Sequence, residues 1–411
     1  MEVVRLEGRE GILVRTPVSI RVLSGEAEVW GAPFSKLDLE QEAMDVLVTA
    51  KGSAELEISK KDYLKVGDPV PEWWEDLIDR ISGKTVIFIG RTDSGKSSSI
   101  LYLSNKLISR GERVSLVDSD IGQSDLGPPG VISSVNLENQ VHQVKMLEPE
   151  FMYFIGDKSP RGHLLQMLMG VREAVSSVRG RTVLINTTGF VDGAAARVLK
   201  RCKIEATDPE LVVIIERSEG ELEHLARTVP RGSEVIRVSS PVRDVLKDRS
   251  YRILSRRASL RRYLKDGFVR EIEIDDVDLE NTFLLTGREK SEYSSFLGDL
   301  LGSNVIWVEE APDMLLILTE GHFDRAKVRK LEDLLKKEVR CAPKVFYEDL
   351  YVGLKSGGRC AGVGILKSLD LRNRRATVLT KYRGEVDCIS LGFMRVTEEG
   401  DELGVREVDS P

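Results

Sequence analysis

Cysteine and histidine are scarce in this sequence of 411 residues, which contains four of each. No two cysteines form a C-x-x-C pair and the histidines are scattered, so neither a zinc site nor a disulfide framework is expected. Long apolar runs are missing too, since none approaches the roughly 20 residues that a membrane-spanning helix needs. The N-terminus, MEVVRLEGRE, is charged from its second residue and lacks the apolar core of a signal peptide. These absences predict no membrane association, and a location in the cytoplasm, or in the nucleus if the cell is eukaryotic.

An excess of basic residues is also absent, because the formal net charge is −7 at pH 7. This charge argues against a broadly basic coat for nucleic acid. It leaves room for a local basic cleft, since binding depends on where the charge lies. Hydrophobic residues make up 41% of the chain, which is enough for a sizeable core in two or three domains.

The pattern of apolar residues divides the chain into successive parts. Residues 1–70 contain short, partly alternating strands between turn residues, which predicts a small antiparallel β domain. Residues 71–83 form a linker with a short helix. Over 84–267, unbroken apolar runs alternate with helical stretches, which is typical of an α/β domain whose parallel sheet carries helices on both faces. Residues 268–411 are again rich in strand patterns but include a helical stretch, which predicts an α+β domain.

The strongest chemical motif is GRTDSGKSSS at residues 90–99, which fits the pattern G-x-x-x-x-G-K-[ST]. It lies between an apolar run, TVIFI, and an amphipathic helical stretch, where the free N–H groups of a helix N-terminus can face phosphates. Lys96 can reach the β- and γ-phosphates, and the Ser97 hydroxyl can bind Mg²⁺. The motif therefore predicts an ATP or GTP site formed by Gly90, Arg91, Thr92, Asp93, Ser94, Gly95, Lys96, Ser97 and Ser98.

Two aspartates, Asp118 and Asp120, end the next predicted strand, and Gln123 follows them. Ligands of open α/β sheets bind at the carboxyl ends of the strands. One carboxylate can hold Mg²⁺, directly or through water, and one can orient and deprotonate an attacking hydroxyl. The alternative is a role in the turn itself, which Asp favours, and this alternative is stronger for Asp118 than for Asp120.

An arginine-rich segment, DRSYRILSRRASLRRYLKDG, occupies residues 248–267. On a helix, Arg249, Arg252 and Arg256 would lie on one face, because their spacings are three and four residues. Such a row of guanidinium groups can close over a γ-phosphate, stabilise charge during its transfer and exclude water. The segment within 241–267 is thus a candidate lid, and the alternative is an ordinary solvated charged face.

Together, these motifs and the stretches FIGDKSPRGH (154–163) and NTTGFVDG (186–193) resemble the polynucleotide 5′-hydroxyl kinases. This P-loop family includes the kinase subunit of the pre-mRNA 3′-end cleavage factor and the nucleolar kinases of pre-ribosomal RNA processing, and the archaeal members are most similar. The resemblance covers essentially the whole chain. It implies a P-loop kinase domain between a small N-terminal β domain and a β-rich C-terminal domain.

The resemblance also implies an activity with its cofactors and partners. The expected reaction is phosphorylation of the 5′-hydroxyl end of RNA, and often DNA, with ATP and Mg²⁺ or another divalent cation, during RNA processing. Proteins of RNA-processing complexes are the further expected partners. Asp120 matches the general base of the family, and the expected catalytic set is Lys96, Asp120, Arg252 and Arg256. The metal is expected at Ser97 and Asp120, with Asp118 reaching it through water.

For the acceptor strand, the resemblance assigns a channel and a turn that grips its backbone. This turn, the clasp, is a Thr-x-Gly-aromatic sequence, and Phe190 stands where the family often has Trp. The expected acceptor residues are Gln123, Ser159, Thr187, Thr188 and Gly189.

Three other functions stay open on the sequence alone. They are an RNA-binding P-loop ATPase, a non-catalytic ATP-bound scaffold of an RNA-processing complex, and a small-molecule kinase. The paired aspartates and the candidate lid argue against the first. A GTP switch is disfavoured, because no Asn-Lys-x-Asp follows LVVIIE and no clear D-x-x-G follows the second strand.

Overall fold

The computed structural model describes residues 1–241 and 248–406. The chain divides into two compact units, Met1–Ser259 and Leu260–Pro411. The boundaries drawn from the sequence near residues 70 and 83 both fall inside the first unit, so the division of that part into separate domains stays a prediction. Residues 242–247 of the candidate lid and the last five residues of the predicted C-terminal domain lie outside the described residues.

The N-terminal part of the first unit is an antiparallel sheet in the order β4-β3-β6-β2-β7, with β1 paired to β6 and β5 paired to β3. Its strands are β1 (Glu2–Leu6), β2 (Gly11–Arg15), β3 (Val18–Val29), β4 (Ala32–Pro33), β5 (Lys36–Leu39), β6 (Asp45–Ile58) and β7 (Tyr63–Val66). The two long strands, β3 and β6, hold the sheet together. Their apolar side chains share one core with Trp74, Leu101 and Tyr102, so this sheet packs against the helices that follow it.

The rest of the first unit alternates strands and helices, as the sequence predicts. The elements are α1 (Glu72–Ile81), β8 (Thr85–Gly90), α2 (Lys96–Ser109), β9 (Val114–Ser119), β10 (Val131–Leu137), β11 (Phe151–Phe154), α3 (Leu164–Ser177), β12 (Thr182–Thr187), α4 (Ala194–Thr207), β13 (Leu211–Glu216), α5 (Glu223–Ala226), β14 (Glu234–Ser239) and α6 (Arg249–Leu264). The end of α6, from Leu260, already belongs to the second unit. A short 3₁₀ turn lies at Val144–Met146. Among the described residues, no helix is both long and apolar enough to cross a membrane.

The central sheet has the order β11-β10-β9-β12-β8-β13-β14. The strands from β9 to β14 in this order are parallel, as predicted, but β10 and β11 are antiparallel to their neighbours. For β10, the reason is its connection from β9, which carries a Gly-Pro-Pro-Gly turn and no helix. A parallel crossover usually needs a dozen or more residues and a helix, so this short connection returns as an antiparallel pair.

Strand β8 shows how helices cover both faces of the sheet. Its side chains alternate, as strand geometry requires. Val86 and Phe88 share a core with α1 and α2, whereas Ile87 and Ile89 share the opposite core with α3 and α4. On the first face, Trp74 donates from Nε1 to the Ser99 hydroxyl at 2.8 Å, and this contact joins α1 to α2.

The second unit contains two further sheets. One has the order β15-β23-β22-β21-β24-β16 with β25 on β24, and the other has the order β17-β18-β19-β20. The elements are β15 (Phe268–Glu273), β16 (Asp278–Glu280), β17 (Arg288–Glu289), α7 (Ser294–Leu301), β18 (Val305–Glu310), β19 (Met314–Thr319), α8 (Arg325–Leu335), β20 (Glu338–Pro343), β21 (Leu350–Ser356), β22 (Arg359–Asp370), β23 (Arg375–Thr380), β24 (Cys388–Val396) and β25 (Glu402–Val405). Short 3₁₀ turns lie at Ile274–Asp276, Ser291–Tyr293 and Lys344–Tyr347.

Candidate active site

The carboxyl ends of three neighbouring strands build the candidate site. The sheet places β12 between β9 and β8, and the register pairs Asn186 with Asp118 and Thr187 with Ser119. The end of β8 continues into the phosphate-binding loop, the end of β9 carries the aspartates, and the end of β12 carries the clasp. Parallel strands bring their carboxyl ends to one edge of the sheet, so three motifs that are distant in sequence meet there.

The loop has the backbone form that a phosphate cradle needs. Gly95 precedes α2 with φ of 89°, a left-handed conformation that favours glycine. Lys96 is buried, and its Nζ donates to the carbonyl oxygens of Gly90 at 3.0 Å and Arg91 at 2.8 Å. Burial lowers the pKa of Lys96, while Asp120, Asp93 and Asp118 act in the opposite direction. An ammonium bonded only to loop carbonyls beside a helix N-terminus fits a triphosphate, whose oxygens can replace those carbonyls.

A side chain that was not assigned a role from the sequence, Asn186, joins the loop to the second strand. Its Nδ2 donates to Ser97 Oγ at 3.2 Å and to Asp118 Oδ1 at 3.1 Å. Its own Oδ1 is buried and has no hydrogen-bond partner among the described residues. Hydroxyl, carboxylate and amide oxygens are the donor types that Mg²⁺ accepts, so these three residues fit a divalent cation.

Asp118 is buried in a cluster of hydrogen-bond donors. Its oxygens accept from the backbone N–H groups of Asp120 at 3.0 Å, Asp125 at 2.7 Å and Leu126 at 3.1 Å. Burial, followed by the charges of Asp125 and Asp120, raises the pKa of Asp118 to about 7, while the hydrogen bonds from the N–H groups of Asp120 and Asp125 act in the opposite direction. Asp118 therefore shapes the turn after β9, besides its place next to Ser97.

We expect Asp118→Asn to lower the free energy of unfolding by about 1–3 kcal/mol, because the new amide places N–H donors against N–H donors. The measurement is guanidinium denaturation at pH 8, where the wild-type carboxylate is ionised. Asp208→Asn is the matched control. Asp208 is exposed with φ of 42° at the end of α4, a conformation that asparagine tolerates, so a change within about 0.5 kcal/mol is expected. Equal changes in the free energy of unfolding for the two variants would contradict the hydrogen-bond cluster around Asp118.

Asp120 lies in the cleft above the loop. Its Oδ1 accepts from the backbone N–H groups of Gly122 at 3.1 Å and Gln123 at 3.2 Å, which fixes the carboxylate. No hydrogen bond from the described residues reaches Oδ2, so this oxygen is available to a ligand. Gln123 lines the same cleft, and its Nε2 donates to the Gly122 carbonyl at 2.8 Å. A fixed carboxylate with one available oxygen suits a general base.

The predicted acceptor residues lie around Asp120 and Gln123, but they differ in whether they line the cleft. The turn containing Ser159 touches Gly122, where an added Cβ would lie 2.7 Å from the Lys158 carbonyl oxygen. The clasp abuts the loop, since a Cβ on Gly189 would lie 2.1 Å from Thr92 Oγ1. Within the described chain, Gln123 is the one predicted acceptor residue that lines the cleft with the loop.

Inside the clasp, two of the predicted side chains face the protein interior. Thr187 is fully buried and donates its hydroxyl to the Phe88 carbonyl at 2.7 Å, and Thr188 is buried beside it. The Phe190 ring is partly buried, and the Arg161 guanidinium lies 5.4 Å from its centroid. A grip on an acceptor would therefore come from the backbone of the turn and from Phe190.

The candidate lid forms one wall of the cleft. Arg252 of α6 reaches the loop, where its Nη1 lies 3.1 Å from Asp93 Oδ2. Tyr251 and Ser255 line the cleft from the same helix, and the Tyr251 hydroxyl donates to the Ala43 carbonyl at 2.9 Å. Arg256 lies one turn beyond Arg252 and is partly buried. The described part of the lid thus brings an arginine to the phosphate loop.

The N-terminal sheet supplies the remaining wall of the cleft. Leu13, Trp30 and Met44 line it together with Leu101 of α2. These apolar side chains lie beyond the loop and provide a surface on which a nucleobase can pack. The sequence did not reveal this wall, because the residues come from three separated segments that only the tertiary structure brings together.

Comparison with known proteins identifies the family of this chain. The family described as the mRNA cleavage and polyadenylation factor CLP1 P-loop matches residues 90–266. A polyribonucleotide 5′-hydroxyl-kinase of Thermococcus kodakarensis is 32% identical over 83% of this chain and 97% of its own length. This chain belongs to the polyribonucleotide 5′-hydroxyl-kinase family. A family member from Methanocaldococcus jannaschii is 27% identical over 79% of this chain and 90% of its own length.

A solved structure extends the comparison to the fold of the kinase family. Wild-type Clp1p in its complex with Pcf11p is 12% identical to this chain, with a TM-score of 0.67 over 96% of this chain and 97% of its own. At this identity the likeness shows the fold. It confirms the predicted P-loop kinase architecture, in which strand-rich segments precede and follow the central α/β part along the chain.

Proposed function

We propose that this protein transfers the γ-phosphoryl group of ATP to the 5′-hydroxyl end of RNA, and also of DNA. The observation that carries this proposal is the shared cleft, in which the phosphate-binding loop and Asp120 lie together. Membership of a family whose relatives are named for this reaction supports the same assignment.

The nucleotide is held by residues 90–98, with its phosphates on the N-terminus of α2 and Lys96, and its base towards Leu13 and Trp30. When bound, Mg²⁺ or another divalent cation would neutralise phosphate charge. Ser97, Asp118 and Asn186 are the residues that would hold it, and Asp120 lies beside them. The chain itself orients the phosphates and excludes water from the cleft, which suits a reaction that depends on positioning.

Transfer needs one proton acceptor and several cations. Asp120 takes the proton of the 5′-hydroxyl as the oxygen bonds to the γ-phosphorus, and the bond from that phosphorus to the oxygen of ADP breaks. Lys96, Arg252 and Arg256 stabilise the charge on the transferred group and on the leaving ADP. Gln123, Ser159 and the clasp of Thr187, Thr188 and Gly189 position the acceptor strand.

The test uses purified full-length protein, Mg²⁺ and ATP labelled on its γ-phosphate. Short 5′-hydroxyl RNA and DNA oligonucleotides are offered, with their 5′-phosphorylated copies as matched controls. We expect label on the 5′-hydroxyl oligonucleotides and none on the controls, and the RNA-to-DNA ratio ranks the substrates. Label found only as free phosphate would replace this proposal with an ATPase, and label on neither would favour a scaffold.

Arg252→Ala should reduce the transfer rate by roughly 10²-fold and change the Kd for ATP by less than about threefold, because the guanidinium acts on the transferred charge. Single-turnover transfer and equilibrium ATP binding measure the two quantities. Arg227→Ala is the matched control, since this arginine directly follows α5 and has a 78% exposed side chain. If Arg252→Ala weakens ATP binding without slowing transfer, α6 is not a catalytic lid.

We also propose RNA-processing proteins as partners, which is supported by the complex in which the structurally similar Clp1p was solved. The cytoplasm is the proposed location, because the relatives that match most of the chain are archaeal proteins. The proposed partners can be tested by purifying the tagged protein from its own cells under low salt. The chains that co-purify with it are then identified.

A further inference from the structure

Two lysines of α4 are buried beneath the candidate active site. Lys200 and Lys203 are 1% and 0% exposed, although lysine is rarely buried completely. They are three residues apart, so they lie on the same face of the helix. This face meets the carboxyl ends of β12 and β9. The proposed roles of the phosphate loop, the base and the lid use neither lysine.

Lys200 forms hydrogen bonds with the clasp. Its Nζ donates to the Thr188 carbonyl at 2.6 Å and to Thr187 Oγ1 at 2.9 Å. The Thr187 hydroxyl in turn donates to the Phe88 carbonyl of β8, the strand that leads into the phosphate loop. The lysine thus connects the turn that would grip the acceptor with the strand that carries the nucleotide.

Lys203 holds the residue that precedes the proposed base. Its Nζ donates to Ser119 Oγ at 2.8 Å, and Ser119 is followed directly by Asp120. The Ser119 hydroxyl donates to the Asn186 carbonyl at 2.7 Å, which ties the end of β9 to the end of β12. Lys203 therefore fixes Ser119, the residue that directly precedes Asp120 in the cleft.

Burial makes these two amino groups costly for the protein. Burial lowers the pKa of Lys203 to about 7, and it lowers the pKa of Lys200 well below its ordinary value. The Asp120 carboxylate acts in the opposite direction on both groups. Taking a basic amino group out of water is costly, and the hydrogen bonds to the Thr188 carbonyl and to Ser119 Oγ offset part of that cost. A methionine would fill the same space, but it could not make the hydrogen bonds that fix the ends of β12 and β9.

We propose that Lys200 and Lys203 are positioning residues of the kinase reaction. Lys200 sets the clasp for the acceptor strand, and Lys203 sets Asp120 for the proton that it receives. Both act through protein groups and neither touches the substrate. This inference rests on the proposed function of the site.

The experiment compares Lys200→Met and Lys203→Met with the wild-type protein in the labelled-ATP assay. For Lys200→Met we expect the KM for a 5′-hydroxyl RNA oligonucleotide to rise about tenfold with a smaller change in kcat. For Lys203→Met we expect kcat to fall about 10²-fold with little change in that KM, because a misplacement of about 1 Å can cost this much. The Kd for ATP should stay within about threefold. The Tm should fall only modestly, because each methionine leaves one hydrogen-bonded group, the Thr188 carbonyl or the Ser119 hydroxyl, without its lysine donor.

Arg201→Met is the control on the same helix, since Arg201 is exposed and forms an ion pair with Glu205, one turn further along this helix. If a methionine variant does not fold, Thr187→Val and Ser119→Ala remove one acceptor of each lysine while the lysine stays. We expect these two variants to show the same separation of KM and kcat, with smaller changes.

Two results would overturn the inference while leaving the proposed function intact. One is that the wild-type enzyme transfers label and that both lysine variants have the same KM and kcat as the wild type. The other is a parallel loss of Tm, ATP affinity and kcat in both variants, which would mark the lysines as merely structural. A wild-type protein that labels no oligonucleotide would instead overturn the proposed function, and this inference with it.

Discussion

Asp120→Asn should leave ATP binding unchanged and reduce phosphoryl transfer to a 5′-hydroxyl RNA by about 10³-fold, since general-base catalysis contributes roughly 10²–10⁴-fold. An asparagine can still accept the N–H groups of Gly122 and Gln123 through its oxygen, so the turn should keep its shape. What it loses is the ability to take a proton from the acceptor hydroxyl. Single-turnover transfer and equilibrium ATP binding measure the two expected results.

The control for this substitution is Asp79→Asn on α1, whose side chain is 85% exposed. It removes the same charge from the chain at a point that faces solvent, and its transfer rate should match the wild type. A wild-type rate of phosphoryl transfer in Asp120→Asn would show that Asp120 is not the general base. A loss of ATP binding together with transfer would assign Asp120 to the nucleotide or its metal instead.

Lys96→Ala should reduce transfer by about 10³-fold and weaken ATP binding as well, because one preorganised donor to the reacting charge is commonly worth 10²–10³-fold. The structure adds a second reason. The Lys96 amino group is buried close to three carboxylates, Asp120, Asp93 and Asp118. Without it, an incoming triphosphate would meet these negative charges with one cation fewer.

Transfer at saturating ATP separates the two effects of Lys96→Ala, because a pure loss of affinity is restored by more ATP and a loss of catalysis is not. Lys36→Ala is the matched control, since Lys36 lies on the N-terminal sheet with a 52% exposed side chain. Full recovery of the rate at high ATP would limit Lys96 to binding. An unchanged rate at every ATP concentration would show that the loop does not hold the phosphates.

Much of the central fold could be predicted from the sequence, because the signals are local. The strand before the loop and β13 follow from unbroken apolar runs of strand length, and the helix after the loop follows from an amphipathic pattern. The loop itself is a contiguous motif whose chemistry depends on its own glycines, Lys96 and Ser97. Asp120 and Gln123 were also found in this way, since they follow directly after a predicted strand. The roles of all these residues stay predictions until the variants are measured.

The sequence did not predict the order of the strands in the central sheet, and the rest of the candidate site depends on that order. Local periodicity does not say that β12 lies between β9 and β8, and this placement alone brings Asn186 to Ser97 and Asp118. The same limit applies to β10, whose antiparallel pairing with β9 follows from a short connection and not from its composition. It also applies to α6, where a row of arginines was visible but the contact of Arg252 with Asp93 was not.

The sequence by itself determined that this chain has a phosphate-binding loop, a strand that ends in aspartates and an arginine-rich helix, because each of these is a short contiguous pattern. Only the tertiary structure decided which side chains face the interior. Lys200 and Lys203 look like ordinary charged residues of an amphipathic helix, and Thr187 looks like an exposed turn residue. The ends of β9 and β12 lie against α4, and these long-range contacts bury all three. A side chain is buried by what packs against it, and that is set by residues far away in the sequence.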